Sequence, residues 1–235
     1  VTTIVSSDMV YPVAARYGLT VIRTLTGFKY IGEQIKKFEQ ALAANGGIPD
    51  AGKGAYVYEF GFEESYGCLV GTYARDKDAV MAVTALCEAA AYYASLGKTL
   101  ADVMSDMYEM YGYYAEDLAS VTLKGADGAR RIADMMSALR CAPPAEVGGR
   151  RVAVLCDYAC GLRRELSTGR EEPCGLPKSN VLYFELEGDA WCCVRPSGTE
   201  PKIKFYFGVK GNSCADSKTQ LAALRAGFLQ LFTED

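Results

Sequence analysis

The sequence predicts an α/β domain with a mostly parallel sheet, followed by a smaller α+β domain with an antiparallel sheet. Three observations carry this prediction. Up to about residue 118, short β-branched or aromatic runs alternate with helical patterns, as in a parallel sheet covered by helices. Beyond that point several strand-like runs follow one another, with a helix before and after them, which is the α+β arrangement. Pro143-Pro144 and Gly148-Gly149 interrupt the second region, while no repeat or low-complexity tract runs through the chain. The expected domains are 1–118, a three-layer α/β/α unit, and 119–235.

In the first domain, residues 2–6 (TTIVS) read as a strand by their β-branched content. A helix is expected over Tyr11–Tyr17, with Pro12 in its first turn and Gly18 as the stop. Residues 20–24 form the second strand. Residues 30–43 follow as a helix, with Ile31, Ile35, Phe38 and Leu42 on one face. Residues 55–60 (AYVYEF) make a third strand. Asp76 or Asp78 caps a long helix ending at Leu96-Gly97, and Thr99 starts another that runs to Tyr111. In the second domain a short strand (120–124) leads to a helix over Asp127–Leu139. Strands follow at 151–157, 180–186, 190–195 and 202–209, and the last helix spans 213–232.

Composition narrows the function. A chain of 235 residues, half of them hydrophobic, has enough apolar mass for two cores. The net charge is −4, the wrong sign for coating nucleic acid or an anionic membrane. No apolar run approaches the roughly 18 residues of a membrane span. The nine cysteines include an adjacent pair, Cys192-Cys193, and read as reduced thiols of a cytoplasmic protein. Cys156 and Cys160 have the bland reading of small hydrophobes, and no metal site is expected. With no histidine anywhere, Ser-His-Asp and Cys-His systems are excluded. The chain starts on a strand-like run without a methionine, and reads as a domain cut from something longer.

The strongest motif is Arg195-Pro196-Ser197-Gly198-Thr199-Glu200-Pro201-Lys202-Ile203-Lys204, a loop between two strands. It offers a guanidinium fork, two hydroxyls, a glycine and two ammoniums. Arginine meets phosphate oxygens two at a time, lysine adds point charge, and a glycine turn aims backbone N–H groups at an anion. The alternative for an arbitrary loop is a solvated polar hairpin. A second motif, Gly61-Phe62-Glu63-Glu64-Ser65-Tyr66-Gly67, follows a strand. Ligands of parallel α/β sheets sit beyond the C-terminal ends of strands. A carboxylate and a hydroxyl there suit sugar hydroxyls. Gly47–Lys53 imitates a P-loop, but Gly54 stands where its hydroxyl belongs, and the segment follows a helix instead of a strand.

These motifs resemble those of the α-D-phosphohexomutases (phosphoglucomutase/phosphomannomutase), and the order TGFK, EES, RDKD, RPSGT is that of the family's third and fourth domains. The resemblance implies a TATA-box-binding-protein-like fourth domain, in which Arg195, Ser197, Gly198, Thr199 and Lys204 grip the phosphate that is not transferred. Lys202 is adjacent. It implies that Glu63 and Ser65 bind neighbouring sugar hydroxyls, although Phe62 stands where many members have glycine. Thr26, Gly27 and Lys29 belong to a turn of the sugar site. Lys77 lies near the reacting oxygen, assisting proton transfer or stabilising charge.

The implied parent enzyme has four domains. A phosphoserine in the first and Mg²⁺ held by an Asp-rich loop in the second act on a hexose phosphate through glucose 1,6-bisphosphate. Neither the serine segment nor the metal loop is found in this sequence. The expected partners are the substrate and the two preceding domains, with no nucleic acid and no membrane. The fragment alone is expected to bind without turnover. Alternatives are a pentose-phosphate mutase or sugar-bisphosphate synthase of the same family, a sugar-phosphate sensor, or an unrelated anion-binding adaptor.

Overall fold

The structure is a computed structural model that describes residues 1–123, 126–197 and 201–232. It divides into two compact units, Val1–Tyr111 and Gly112–Asp235. The boundary precedes the expected residue 118 because the strand there is longer than its sequence suggested. It starts at Tyr113 and pairs along its whole length.

The first unit runs β1 (Thr2–Thr3), α1 (Val10–Arg16), β2 (Arg23–Thr24), α2 (Phe28–Ala44), β3 (Phe60–Glu63), β4 (Gly67–Val70), α3 (Ala79–Ser95) and α4 (Leu100–Tyr111). The sheet order is β2-β1-β3-β4. β1 is parallel to β2 and β3, while β3 and β4 form an antiparallel hairpin. The predicted helices are present, and Asp78, not Asp76, caps α3 by accepting from the N–H groups of Val80 and Met81. The strand expected at 55–60 lies instead at 60–63. Residues 50–55 are closed into a small loop by the Asp50–Ala55 bridge and by the Asp50 side chain, which accepts from Gly52 N–H. That closure takes Ala55, the first residue of the apparent strand, and residues 56–59 join no sheet. Of the apolar face predicted for α2, Ile31, Ile35 and Phe38 are buried together with Phe28, Tyr58 and Leu69, while Leu42 is half-buried. Each such side chain contributes about 1.5–3 kcal/mol on burial. By contrast α3 and α4 bury none of their residues, and Tyr92 of α3 is exposed. No single helix among the described residues is long and apolar enough to cross a membrane; α3 and α4 pass that test only as a pair bent by 86°.

The second unit runs β5 (Tyr113–Thr122), α5 (Ala126–Cys141), β6 (Glu146–Val147), β7 (Arg150–Asp157), β8 (Leu162–Glu165), β9 (Glu171–Pro173), β10 (Leu182–Leu186), β11 (Ala190–Pro196), β12 (Lys202–Gly211) and α6 (Cys214–Gln230). The strands lie in the order β5-β12-β11-β10-β7-β8-β9, with β6 on β7, and every pairing is antiparallel. The predicted α+β class holds. One face of the sheet is apolar by strict alternation: Ile203, Phe205, Phe207 and Val209 of β12 join Leu182, Phe184, Cys192 and Val194 in the core. Phe228 of α6 is fully buried and meets Phe184, Phe205 and Phe207 edge-on, at ring separations of 5.6, 6.0 and 6.0 Å. The alternate residues of β12 are Lys204, Tyr206, Gly208 and Lys210, and they point to the other face. Gly208 is obligatory there, since a Cβ would sit 2.3 Å from the ring of Trp191 opposite it.

Candidate functional site

In the first unit the C-terminal ends of the parallel strands converge on one cluster. β2 leads through Leu25 and Thr26 to Gly27, whose φ of +120° turns the chain into α2. The Gly27 N–H donates to Glu63 Oε1 at 2.7 Å. The other oxygen, Oε2, lies 3.6 Å from the Lys77 ammonium, and the Glu63 side chain is only 6% exposed. Lys77 also reaches Asp76 Oδ1 at 3.1 Å and hangs over the Phe28 ring at 5.4 Å. The structure therefore brings Gly27, Glu63 and Lys77 together. Glu63 is engaged by a backbone N–H and a cation, so its carboxylate is fixed in place.

The other predicted residues of this unit divide. Ser65 is exposed in the turn between β3 and β4. Thr26 is half-buried beside Gly27. Lys29 follows in the first turn of α2, with its ammonium over the Tyr30 ring at 4.8 Å. Arg75 pairs with Glu39 at 2.5 Å.

The electrostatics bear on Lys77. The Asp76 carboxylate, which accepts from its ammonium, is the chief cause of a raised pKa, and the Glu63 charge adds to it against the cost of partial burial. An ammonium held in this way donates hydrogen bonds and stabilises negative charge; it does not accept a proton at neutral pH. Of the roles that the resemblance implies for Lys77, its surroundings suit charge stabilisation or proton donation and disfavour action as a base. Asp76 is held below the usual carboxylate range, first by the backbone N–H of Lys77 and then by its ammonium.

Sequence reasoning missed the residues that hold this cluster. Gly67 is one of them: a Cβ there would lie 1.8 Å from Lys77 Cδ. Thr3, at the end of β1, donates to Glu64 Oε2 at 2.9 Å and shares a hydrogen bond with Ser6.

In the second unit Arg195 and Pro196 end β11, Lys202 to Lys204 open β12, and the two strands pair antiparallel, as expected. Arg195 lies directly opposite Lys204 in the ladder. The pairing continues beyond the ladder, where the Ser197 N–H donates to Lys202 C=O at 2.6 Å. Arg195 Nε donates to the Tyr206 hydroxyl at 3.2 Å, and its guanidinium stands 5.9 Å from that ring. Among the described residues neither Arg195 nor Lys204 forms an ion pair. Gly198 and Thr199 lie outside the described residues. Of the two cysteines considered as ligands, Cys156 is buried and Cys160 is exposed. No group of three or more His, Cys, Asp or Glu among the described residues could hold a metal ion.

A mixed α/β unit followed by an antiparallel α+β unit is the pair of folds found at the C-terminal end of the phosphohexomutases, and direct comparison agrees. Residues 1–111 match the family description "Phosphoglucomutase/phosphomannomutase, alpha/beta/alpha domain III", and residues 166–225 match "Phosphoglucomutase/phosphomannomutase, C-terminal domain". The chain belongs to the phosphoglucomutase/phosphomannomutase family. It is 32% identical over 222 residues to a phosphoglucomutase of Staphylococcus aureus (strain bovine RF122 / ET3-1), covering 94% of this chain and 38% of that protein. The protein of strain MRSA252 is 34% identical over 208 residues, covering 88% and 35%. Among solved structures, the Paramecium phosphoprotein pp63/parafusin, a phosphoglucomutase in its open form, superposes with a TM-score of 0.59 at 16% identity. That match covers 98% of this chain and 37% of the other. The chain thus spans well under half the length of these relatives.

Proposed function

We propose that this chain is the substrate-holding part of a phosphohexomutase that interconverts hexose 1-phosphate and hexose 6-phosphate through a phosphoserine and a bisphosphate intermediate. The observation that carries this reading is the Arg195–Lys204 pair. Two like charges directly opposite each other in an antiparallel ladder destabilise it. With no carboxylate of a described residue between them, they suit a dianion bound from outside. Arg195 would meet two phosphate oxygens, Lys204 would add charge, and Ser197 would supply a hydroxyl, with Gly198 and Thr199 completing the loop.

In the other unit, Glu63 and Ser65 address neighbouring sugar hydroxyls, Thr26, Gly27 and Lys29 border the ring, and Lys77 stabilises charge near the reacting oxygen. The staphylococcal phosphoglucomutases support the hexose reading by name. Mg²⁺ would neutralise spreading phosphoryl charge in the parent enzyme. The described residues do not fit a metal site, so this reading places its ligands, like the phosphoserine, outside this chain and routes no step here through it. The polypeptide by itself is accordingly a binder without turnover, and glucose 1,6-bisphosphate is its intermediate-like ligand.

The test is calorimetric titration with glucose 1-phosphate and glucose 1,6-bisphosphate. A bidentate charged contact is worth about 1.5–3 kcal/mol, so Arg195→Ala should weaken binding by roughly ten- to a hundredfold. Equal binding by wild type and mutant would remove Arg195 from the site.

A further inference from the structure

The β3–β4 hairpin carries a residue that its geometry disfavours. Glu63 pairs with Gly67 across the ladder, leaving Glu64, Ser65 and Tyr66 as a three-residue connection. Hairpins of this length place their last loop residue in the left-handed region, where glycine is the favoured choice. Here that residue is Tyr66, at φ +58°. Among the described residues one other non-glycine has a positive φ, Asp189, and aspartate tolerates that region because its short side chain bonds locally. Tyrosine has no such compensation. Its ring is also fully exposed, at 103% of its reference area. Tyr66 therefore carries two costs at one position, a strained backbone and an uncovered aromatic ring. A residue in that condition at a ligand-facing loop is a mark of function.

We infer that Tyr66 is a specificity-determining residue whose ring packs against the apolar C–H face of the hexose, an inference that rests on the proposed sugar site. A pyranose offers hydroxyls around its edge and C–H groups on its faces. Glu63, in the last pair of the ladder, and Ser65, in the middle of the connection, suit the edge. Tyr66, next to Ser65, presents an apolar body with a polar tip, and such rings gain from face contacts beyond simple area burial. The hairpin fixes both kinds of contact on one rigid turn. The ring would favour a six-membered sugar with an unbroken C–H face and contribute nothing to inorganic phosphate.

The experiment compares wild type, Tyr66→Phe, Tyr66→Asn and Tyr66→Gly in titrations with glucose 1-phosphate and with inorganic phosphate, alongside thermal unfolding. Asparagine and glycine both accept the left-handed backbone, so the fold is preserved. The expected result is that Asn and Gly weaken glucose 1-phosphate by about three- to tenfold, leave inorganic phosphate unchanged, and raise Tm. Phe should bind like wild type. A rise in Tm with unchanged sugar-phosphate affinity would overturn the inference, and so would a loss in Phe equal to that in Asn, which would assign the effect to the hydroxyl. If Glu63→Gln weakens glucose 1-phosphate while the Tyr66 variants do not, only the role of Tyr66 falls. Should the wild type bind inorganic phosphate but show no preference for glucose 1-phosphate, the sugar site itself is refuted together with it.

Discussion

Gly67 and Lys77 occupy interlocking space: the position a Cβ would take on Gly67 is 1.8 Å from Lys77 Cδ, 2.6 Å from Cγ and 3.0 Å from Cε. The lysine stem thus crosses the hairpin where β4 begins, and only glycine leaves room for it. Gly67→Ala must displace the Lys77 side chain from Glu63 and the Phe28 ring, at a cost of up to about 1 kcal/mol, since the lysine that gives way is 40% exposed. Truncating the lysine removes the obstacle, so Gly67→Ala should be nearly neutral in a Lys77→Ala background. A double-mutant cycle by denaturant unfolding measures this coupling, and additive effects would show that the two residues do not share the space.

Glu63 is committed before any ligand arrives. Its Oε1 is the acceptor for Gly27 N–H at the start of α2. Glu63→Ala leaves that buried-side donor without a partner and should destabilise by about 1–3 kcal/mol. Glu63→Gln keeps an acceptor oxygen and loses mainly the attraction to a Lys77 side chain that is 40% exposed, an interaction worth no more than about 1 kcal/mol. Urea midpoints of the two variants should therefore separate clearly. Equal midpoints would mean that the Gly27 bond contributes nothing to stability.

The pH dependence of the Lys77 contribution has a definite sign. Its folded pKa is raised above the ordinary 10.5, chiefly by Asp76. A group of this kind contributes stability that is fully present below its unfolded pKa and is lost as pH rises through the folded value. The stability difference between wild type and Lys77→Met should stay flat from pH 6 to about 9 and shrink only in strongly alkaline solution. A difference that changes between pH 6 and 8 would contradict the raised pKa and reopen a role for Lys77 as a base.

Much of the architecture was legible because its signals are local. The 195–204 hairpin shows in the sequence as two alternating strands around Ser-Gly, and Asp78 and Gly18 punctuate their helices as short-range chemistry requires. The failures are where distant partners decide. AYVYEF has strand propensity throughout, yet the Asp50–Ala55 closure takes its first residue and the hairpin with β4 uses only its last. β8 and β9 were not foreseen because LRRE and EEP are charged. They are held by cross-strand pairs such as Arg163 with Glu172 at 3.1 Å and Arg163 with Glu185 on β10 at 2.8 Å. In the site, Glu63 and Arg195 were visible as chemistry, whereas Gly67, Thr3 and Tyr206 act through the space or hydrogen bonds they give to a neighbour, which no residue type announces.

The thiols offer a check on the second unit's sheet. Burial, reinforced by the Glu185 charge, pushes Cys156 up to about 12, so at pH 8 only ~10⁻⁴ of it is the reactive thiolate. Cys87, Cys141, Cys160 and Cys214 are exposed. Iodoacetamide followed by peptide mass spectrometry should label those four long before Cys156, Cys192 and Cys193. Labelling of Cys156 as fast as Cys160 in the folded protein would mean that the β7–β10 pairing around it opens readily.

Lys204 sets stability against binding. It faces Arg195 directly in the β11–β12 ladder, an arrangement that costs the fold whatever it gains from an anion. Lys204→Glu converts the like-charge pair into an opposite-charge pair and should stabilise the unit by about 0.2–1 kcal/mol. The same change places a carboxylate beside Arg195, occupying the guanidinium and repelling phosphate, so affinity for glucose 1-phosphate should fall by more than the loss of one lysine alone would cause. Lys204→Met separates the two effects, since it relieves the repulsion without introducing a competitor and should weaken binding less. The order expected in Tm is Glu, then Met, then wild type, and in affinity the reverse. If Lys204→Glu is less stable than wild type, the two charges do not oppose each other across the ladder. If it binds sugar phosphate undiminished, this pair is not where the phosphate docks.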